Sequence, residues 1–385
     1  MIKVLEVISD TNIGGAGVLL HSRLKYTDKT RFSTAVLMPK GSALLTRLSK
    51  DNIKCIEMNG CKNTSFDFFA IFEMIGIINK YKPDIVNTHG CMSARIAAHL
   101  CGVPARIYTR HCAFDIPKIF EYSIVKKVFS SANKLLSHRI IAVANAAKKN
   151  LTDMGIYGKD ITVIINGVEG LRCLNAEERS KVRKSLGLSD DNIVIGICAR
   201  LEEYKDHKCF LRAAALLCKS SDKYRFLIIG DGSKREELKN FAKTLGIDKF
   251  VYFTGFAQDV APYINITDIQ VNCSVGTETS SLALSEGMSI GKPSIASDFG
   301  GNPYMIRNGE NGLLYRKGDS RELARAIEKI SNDKDLYQKM SEKAKERFNS
   351  ELNIQKTTTE TESLYLSIYY KNRSKEKAEK KRLAP

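Results

Sequence analysis

Short unbroken apolar runs alternate with amphipathic helical stretches along this chain, and that alternation constrains its fold more than any other feature. IKVLEVIS, FSTAVLM, DIVNTH, ARIYTRH and HRIIAVA read as strands in the first half, and NIVIGICAR, RFLIIGDG, VYFTG, DIQVNCS and PSIASD in the second. Between them VLLHSRL, SARIAAHL, NAAKKNLTDMG, HKCFLRAAALL, SKREELKNFAKTLG and DSRELARAIEKI carry helical spacing. A strand covered on both faces shows no polar face to water, so continuous apolar runs mark a parallel sheet under helices. Parallel neighbours need a crossover, and the alternation supplies a helix for each. The expected class is α/β, with doubly wound parallel sheets. At 385 residues the chain exceeds one ordinary core. The rhythm breaks at NGVEGLRCLNAEERSKVRK, where Gly167 and Gly170 stand among polar residues. Two Rossmann-like domains are therefore expected, over 1–170 and 171–350, with a helix and basic tail over 351–385 packing back on the first. Two such sheets would face each other across a cleft, and ligands in these folds bind at the carboxyl ends of the strands.

Charge narrows the partners. The formal net charge is +17, concentrated in two places. Residues 101–150 hold nine Lys and Arg against two acids, and residues 371–385 hold seven against two. Such an excess favours anionic partners: nucleic acid, anionic lipid or phosphorylated substrates. The positive charge is not interleaved with aromatic residues and no nucleic-acid recognition motif appears, so no nucleic acid is expected as a partner. Ten cysteines include no C-x-x-C pair and no zinc spacing, and most of them read as buried thiols in a reducing cytosol rather than a disulfide or metal framework. MIKVLEVISD is interrupted by Glu6 and does not read as a signal peptide. FDFFAIFEMIGII, the nearest approach to a membrane span, is interrupted by Glu73. The expectation is a cytoplasmic protein, soluble or peripheral to the membrane.

Three loops after strands hold the residue types that bind anions. TNIGGAGVLL places Gly14, Gly15 and Gly17 between the first strand and its helix, where small residues admit a ligand to the backbone. The same glycines also fit a plain tight turn. ICARLEEYKDH puts Arg200 at a strand end and Lys205 five residues on. That pair suits a diphosphate, although solvated lysines and arginines are common. GTETSSLALSEGMSIGKPSIASDFGGNP holds Glu278 and Glu286 around a helix start, with Thr279, Ser280 and Ser281 as N-cap candidates. A helix start offers four N–H groups to an anion. Two glutamates eight apart mean little alone.

The order of these signals means more. The GGAG loop, the YTRH strand end, NGVE after ITVII, Arg200-x4-Lys205, the GDG of IIGDGS, TGF at 254–256, Glu278-x7-Glu286, GKPSIASDFGG and NGLLY at 311–315 stand in sequence. In this the chain resembles the retaining, nucleotide-sugar-dependent glycosyltransferases of family four, which have the GT-B fold. The resemblance spans nearly the whole chain and is strongest over about 160–320. It implies a nucleotide-diphosphate sugar as co-substrate, no other cofactor and no metal, and a glycan or lipid-linked acceptor. By position it implies that Arg200 and Lys205 bind the donor diphosphate and that the backbone of Ser280, Ser281 and Leu282 holds the same phosphates. Glu286 would receive the ribose hydroxyls, Glu278 would position the transferred sugar, and His111 would touch that sugar from the N-terminal domain. Gly15 and Gly17 would approach phosphates or acceptor, and Phe256 would pack near the base. Charge on the leaving diphosphate is then offset by fixed cations and helix N–H groups. A covalent carboxylate, as in many glycosidases, is the other route to retention; the family is described instead as reacting on one face, so Glu278 is read as positioning and not nucleophilic. Two departures bear on donor choice. Thr279 and Ser280 stand where many relatives have Gly and a bulky residue, and Asn302, Pro303 and Tyr304 stand where many carry an acid.

Other residues read more plainly. His89 ends the strand DIVNTH and either meets an acceptor or caps a turn, while His21, His99, His138 and His207 read as structural or solvated. Asp333-x-Asp335 reads as a helix cap rather than a metal site. Residues 114–139 mix apolar residues with Lys118, Lys126, Lys127, Lys134 and Arg139, which suits either an anionic membrane surface or a helix packed on its own domain. A nucleotide-sugar epimerase is the alternative within the same fold, and a nucleic-acid-binding protein, on the charge alone, is the alternative outside it. The sequence leaves sugar, nucleotide, acceptor and linkage open.

Overall fold

The computed structural model describes all residues except 112, 114, 115, 277, 384 and 385, together with the backbone alone of 375–383. The chain forms two compact units, Met1–Gly167 with Ile354–Pro385, and Val168–Asn353.

The first unit holds a seven-stranded sheet: β1 (Ile2–Ile8), β2 (Phe32–Pro39), β3 (Lys54–Met58), β4 (Ile85–His89), β5 (Ala105–Arg110), β6 (Arg139–Ala142) and β7 (Ile161–Val163). Their order is β3-β2-β1-β4-β5-β6-β7, and every pairing is parallel. The second unit holds six parallel strands: β8 (Ile193–Cys198), β9 (Tyr224–Ile229), β10 (Val251–Gly255), β11 (Ile269–Asn272), β12 (Ser294–Ser297) and β13 (Gly312–Tyr315). Their order is β10-β9-β8-β11-β12-β13. The apolar runs become these strands because helices bury them on both faces. Ile195, Ile197, Phe226, Ile228 and Ile269 pack with Phe210, Leu211 and Leu217 of the helix His207–Ser220. Each such side chain contributes about 1.5–3 kcal/mol on burial. Gly196 is set by packing, since a Cβ there would lie 2.6 Å from Oγ1 of Thr267.

Strand order reverses direction at β1/β4 in the first sheet and at β8/β11 in the second. At such a switch point adjacent crossovers leave to opposite faces, and a crevice opens at the strand ends. The glycine loop and His89 stand at the first crevice, Arg200, Lys205 and Glu278 at the second.

The glycine segment differs from its sequence reading. Gly15 and Gly17 lie in the first turn of the helix Gly15–Tyr26, with Gly14 as N-cap in extended conformation. The helix starts three residues earlier than the apolar pattern VLL indicates, because a first turn needs no apolar face. Asp333 caps the helix Lys334–Arg347 by accepting from Leu336 N at 2.9 Å. The last helix, Ile354–Leu383, packs Tyr365, Ile368 and Tyr369 onto Val4, Ile85, Ile107 and Ile141 of the first sheet. Among the described residues no helix is long and apolar enough to cross a membrane.

Candidate active site

In the second unit the chain leaving β8 runs through Arg200 to a single 3₁₀ turn, Glu203–Lys205. Asp206 follows with φ 44° and caps the next helix by accepting from Cys209 N at 3.1 Å. This tight reversal brings Lys205 back over the end of β11. Its Nζ lies 2.6 Å from Oε2 of Glu278 and 3.3 Å from Oγ of Ser274. Oε2 of Glu278 also accepts from Ser274 Oγ at 2.8 Å and Asn272 Nδ2 at 3.2 Å. Glu278 is only 6% exposed. A carboxylate so enclosed needs a cation and further donors, and this cluster provides both.

The glycines around Glu278 hold its backbone in place. Gly301 N donates to the Glu278 carbonyl at 3.0 Å. A Cβ on Gly300 would stand 2.2 Å from that carbonyl oxygen, and one on Gly301 1.7 Å from the Thr279 oxygen. The Gly-Gly of SDFGGNP thus permits direct contact of two backbones. On the other side Val275 N donates to the Tyr204 carbonyl at 2.9 Å, which ties the loop after β11 to the loop after β8.

Asn302 stands at one of the departures from the family pattern and is fully buried beneath this floor. It donates to Ser297 Oγ at 3.1 Å, and Ser297 donates to the Ser274 carbonyl at 2.6 Å. Tyr304 is engaged elsewhere: its hydroxyl donates to Glu351 Oε2 at 2.7 Å and its ring lies under the Arg347 guanidinium. Thr279 is buried, and Thr277 lies outside the described residues.

The helix Leu282–Ser289 points its start at this cluster. Ser281 is its N-cap, with Oγ accepting from Leu284 N at 3.4 Å; Ser280 precedes the cap and Leu282 is the first helical residue. Glu286 lies in the second turn, where burial pushes its carboxyl up to about 7. Arg200 is exposed, its guanidinium 5.7 Å from the Tyr204 ring centre. Phe256 follows the edge strand β10 and is 77% exposed. The structure therefore joins Lys205 and Glu278 directly, places the 280–282 segment and Glu286 on the adjacent helix, and leaves Arg200 and Phe256 at the surface of the same unit.

The first unit carries a second polar centre, which the sequence showed only as an interruption. Glu6 sits within β1 and is fully buried. Register aligns it with Asn87 of β4. Oε1 accepts from Arg23 at 2.6 Å and Tyr365 at 2.9 Å, while Oε2 accepts from Asn87 Nδ2 at 2.9 Å and lies 2.9 Å from His89 Nε2. Burial opposes its charge, but Arg23 and the His89 hydrogen bond outweigh burial and hold Glu6 down at about 2. His89 Nδ1 in turn lies 2.7 Å from Nε2 of His111, the two rings stacked 28° from parallel. Burial, and then the neighbouring His89 and Arg23, drive His111 well below the ordinary histidine range. His89 and His111 line a pocket of ≈ 370 Å³ shared with Asp10, Ser65, Arg95 and Arg110. An acid inside an apolar strand is the signal that sequence reasoning could have used here, since a buried carboxylate demands partners.

Two all-parallel α/β sheets, each with a polar crevice at its switch point, form the GT-B architecture. The comparisons identify the family: residues 178–347 match the model described as glycosyl transferases group 1, and residues 13–169 match glycosyltransferase family 4. The chain belongs to this family of glycosyltransferases. It is 27% identical over 344 residues to an Escherichia coli protein named UDP-Gal:alpha-D-GlcNAc-diphosphoundecaprenol alpha-1,3-galactosyltransferase, covering 86% of this chain and 88% of that one. It is 29% identical over 314 residues to the putative glycosyltransferase EpsD of Bacillus subtilis, covering 77% and 81%. Among solved structures, Anabaena HepE in complex with UDP superposes with a TM-score of 0.82 at 20% identity, covering 95% and 100%. A Rickettsia africae glycosyltransferase gives 0.81 at 23%, covering 95% and 98%.

Proposed function

We propose that this chain transfers a hexosyl or N-acetylhexosaminyl group, with retention, from a UDP-sugar to a lipid-linked glycan at the cytoplasmic face of a membrane. The observation that carries the reading is the Lys205–Glu278 pair beside the start of the helix Leu282–Ser289. Breaking the sugar–phosphate bond builds negative charge on the diphosphate and positive charge on the sugar. Lys205 keeps three donors, of which Glu278 and Ser274 take two. The third, with Arg200 and the N–H groups at Ser280–Leu282, faces the departing diphosphate and lowers the cost of its charge. Glu278 accepts from sugar hydroxyls and stabilises the oxocarbenium character. Cations of the chain do the work often given to a metal, so transfer needs none.

The donor rests on HepE, whose solved complexes contain UDP and UDP-glucose, and on the UDP-Gal in the name of the Escherichia coli relative. The acceptor class rests on the diphosphoundecaprenol in that same name. A surface of the first unit favours such a lipid. Phe66, Phe68, Phe69 and Phe72 are all exposed at the start of the helix Phe68–Tyr81, with Phe68 edge-on to Phe69 and Phe72. On the helix Ser123–Leu136, Ile124, Val128 and Leu135 form an exposed stripe, with Lys127 and Lys134 along one edge at about 100° per residue. Ser65 on one side and Phe129 and Asn133 on the other line the pocket that reaches His111. An aromatic and aliphatic rim flanked by lysines suits an anionic bilayer.

The test is transfer from a panel of UDP-, GDP- and ADP-sugars to undecaprenyl-diphosphate-linked GlcNAc in anionic vesicles, with and without EDTA. The expected result is one active UDP-sugar, an α-linked product by NMR and full activity in EDTA. A β-linked product would overturn retention, restoration only by added metal would overturn the cation mechanism, and epimerised donor in place of product would favour the epimerase.

A further inference from the structure

Arg95 is a buried cation that the fold leaves without an acid. It stands in the helix Met92–Leu100, which follows β4, and is 4% exposed. Nε donates to Ser137 Oγ at 3.2 Å, Nη2 donates to Asn133 Oδ1 at 2.7 Å, and Nη1 points at Met92 Sδ at 3.9 Å. The guanidinium lies over the Tyr108 ring, 4.5 Å from its centre. All of these partners are neutral, and among the described residues no carboxylate pairs with Arg95. Burial pulls it down to about 10, and only Tyr108 opposes the shift. An isolated charge withdrawn from water is costly, and neutral hydrogen bonds offset little of that cost. A guanidinium has five N–H groups; these contacts engage three and leave one on each terminal nitrogen. The terminal nitrogens lie on the side of the cavity. Met92, Asn133 and Tyr108 line the pocket of ≈ 370 Å³ together with Arg95, whereas Ser137, the partner of Nε, does not.

We propose that this pocket binds a phosphate or diphosphate anion, for which Arg95 is the buried counter-ion. Two N–H groups on the two terminal nitrogens match two oxygens of one phosphate. Asn133 is fixed in the orientation that presents the fork: its Nδ2 donates to the Phe129 carbonyl at 2.8 Å, which turns Oδ1 to Arg95. Arg110, at the end of β5, is a second cation of the lining, held by the Tyr108 hydroxyl at 3.2 Å and Asn150 Oδ1 at 3.1 Å. Asp10 is the one acid among the described lining residues. It is raised by burial and lowered by His89, and it is not among the groups that act on Arg95, so it does not serve as the missing counter-ion. A side chain that only tied the helix Met92–Leu100 to the helix Ser123–Leu136 would need no charge. The glycosyltransferase reading makes this anion the phosphate beside the acceptor sugar; the affinity of the pocket for the anion itself does not rest on that reading.

The experiment is calorimetric titration of the full chain, saturated with UDP, with inorganic pyrophosphate, farnesyl diphosphate and farnesol. Both anions are expected to bind and farnesol is not. Tighter binding of farnesyl diphosphate than of pyrophosphate assigns a lipid-linked phosphate, and equal binding assigns a water-soluble one; either result supports the pocket. Binding of neither anion, or farnesol bound as tightly as farnesyl diphosphate, would overturn the proposal without any variant having to fold. Arg95→Gln should weaken pyrophosphate binding about tenfold to a hundredfold, the usual effect of losing charge-assisted hydrogen bonds. Asn133→Asp leaves Arg95 in place and sets a carboxylate where Oδ1 now accepts from it, so the chain supplies its own counter-ion and the anion should be lost to a similar degree. Either variant, folded by circular dichroism, that binds pyrophosphate as wild type does would overturn the proposal. UDP affinity should be unchanged in both, which separates loss of this pocket from loss of the donor site. A wild-type chain that binds pyrophosphate in an Arg95-dependent way but does not bind UDP would refute the donor reading and leave this pocket standing.

Discussion

Replacing Glu286 by Gln should make the protein more stable and a poorer enzyme. Burial pushes the Glu286 carboxyl from its ordinary value of 4.5 up to about 7. Between those values the unfolded chain has already lost the proton that the folded chain still holds. The unfolded state then binds fewer protons, so stability falls as pH rises through this window. The loss is complete above pH 7 and absent below pH 4.5. About 2.5 pH units at 1.36 kcal/mol each gives roughly 3 kcal/mol. Glutamine has no charge to desolvate, so Glu286→Gln should exceed wild type by up to about 3 kcal/mol at pH 8 and match it near pH 4.5. Urea unfolding across pH measures the difference directly. A nucleotide whose ribose hydroxyls donate to Glu286 favours the ionised form, so binding should release a proton near pH 7, and calorimetry in buffers of different ionisation enthalpy reads that proton. The variant should release none and should bind UDP more weakly. A stability gain that does not vary with pH, or unchanged UDP affinity, would refute the reasoning.

Lys205→Met should destabilise the second unit by about 3–5 kcal/mol, because it strands a buried carboxylate; the double variant with Glu278→Gln should lose less than the two single losses summed, by thermal unfolding. Glu278→Gln alone should nearly abolish transfer while the fold survives, and activity near wild type would remove Glu278 from the site. Gly301→Ala should cost about 1–3 kcal/mol through its clash with the Thr279 carbonyl, whereas Gly76→Ala, open around its Cβ within a helix, should be neutral or stabilising. Phe68→Ser with Phe69→Ser should reduce co-sedimentation with anionic vesicles and leave UDP binding unchanged; an undiminished vesicle-bound fraction would move the membrane contact elsewhere.

Much of the fold was legible because parallel strands buried on both faces write themselves as apolar runs. IKVLEVIS and NIVIGICAR became β1 and β8, and LALSEGMS became the helix Leu282–Ser289. KCIEM escaped notice, since β3 is a half-exposed edge strand without a continuous run. Positions at the second site were legible as an ordered set of motifs, but their partners were not. Nothing in the spacing of Lys205 and Glu278, 73 residues apart, says that they touch. Only the reversal at Asp206, in left-handed conformation, and the β8/β11 pairing bring them together. Glu6 was visible merely as a break in hydrophobicity, because its partners come from β4, the first helix and a helix 359 residues away.

The two buried acids show why those contacts resist sequence reading and what they add. A carboxylate withdrawn from water is tolerated only when its neighbours replace the lost hydration, so each must be answered by residues that the topology, not the local sequence, delivers. Glu278 is answered by one lysine from the 3₁₀ turn after β8, in a cluster whose cation retains a donor to spare. Glu6 is answered on both oxygens from β4, the first helix and the last helix, and nothing short of changing its chemistry can redirect it. The first arrangement suits a group that must respond to a ligand, and the second suits a group that must hold others still. On the proposed reading, the acid whose cation keeps a free donor lies on the reacting side, and the acid saturated by fixed donors holds its neighbours in place. Exchanging the two kinds of environment is the experiment that separates them. Removing Arg23 by Arg23→Met leaves the buried Glu6 without its cation and should destabilise the first unit by about 3–5 kcal/mol in urea unfolding; an unchanged midpoint would mean that charge balance does not hold this acid in place.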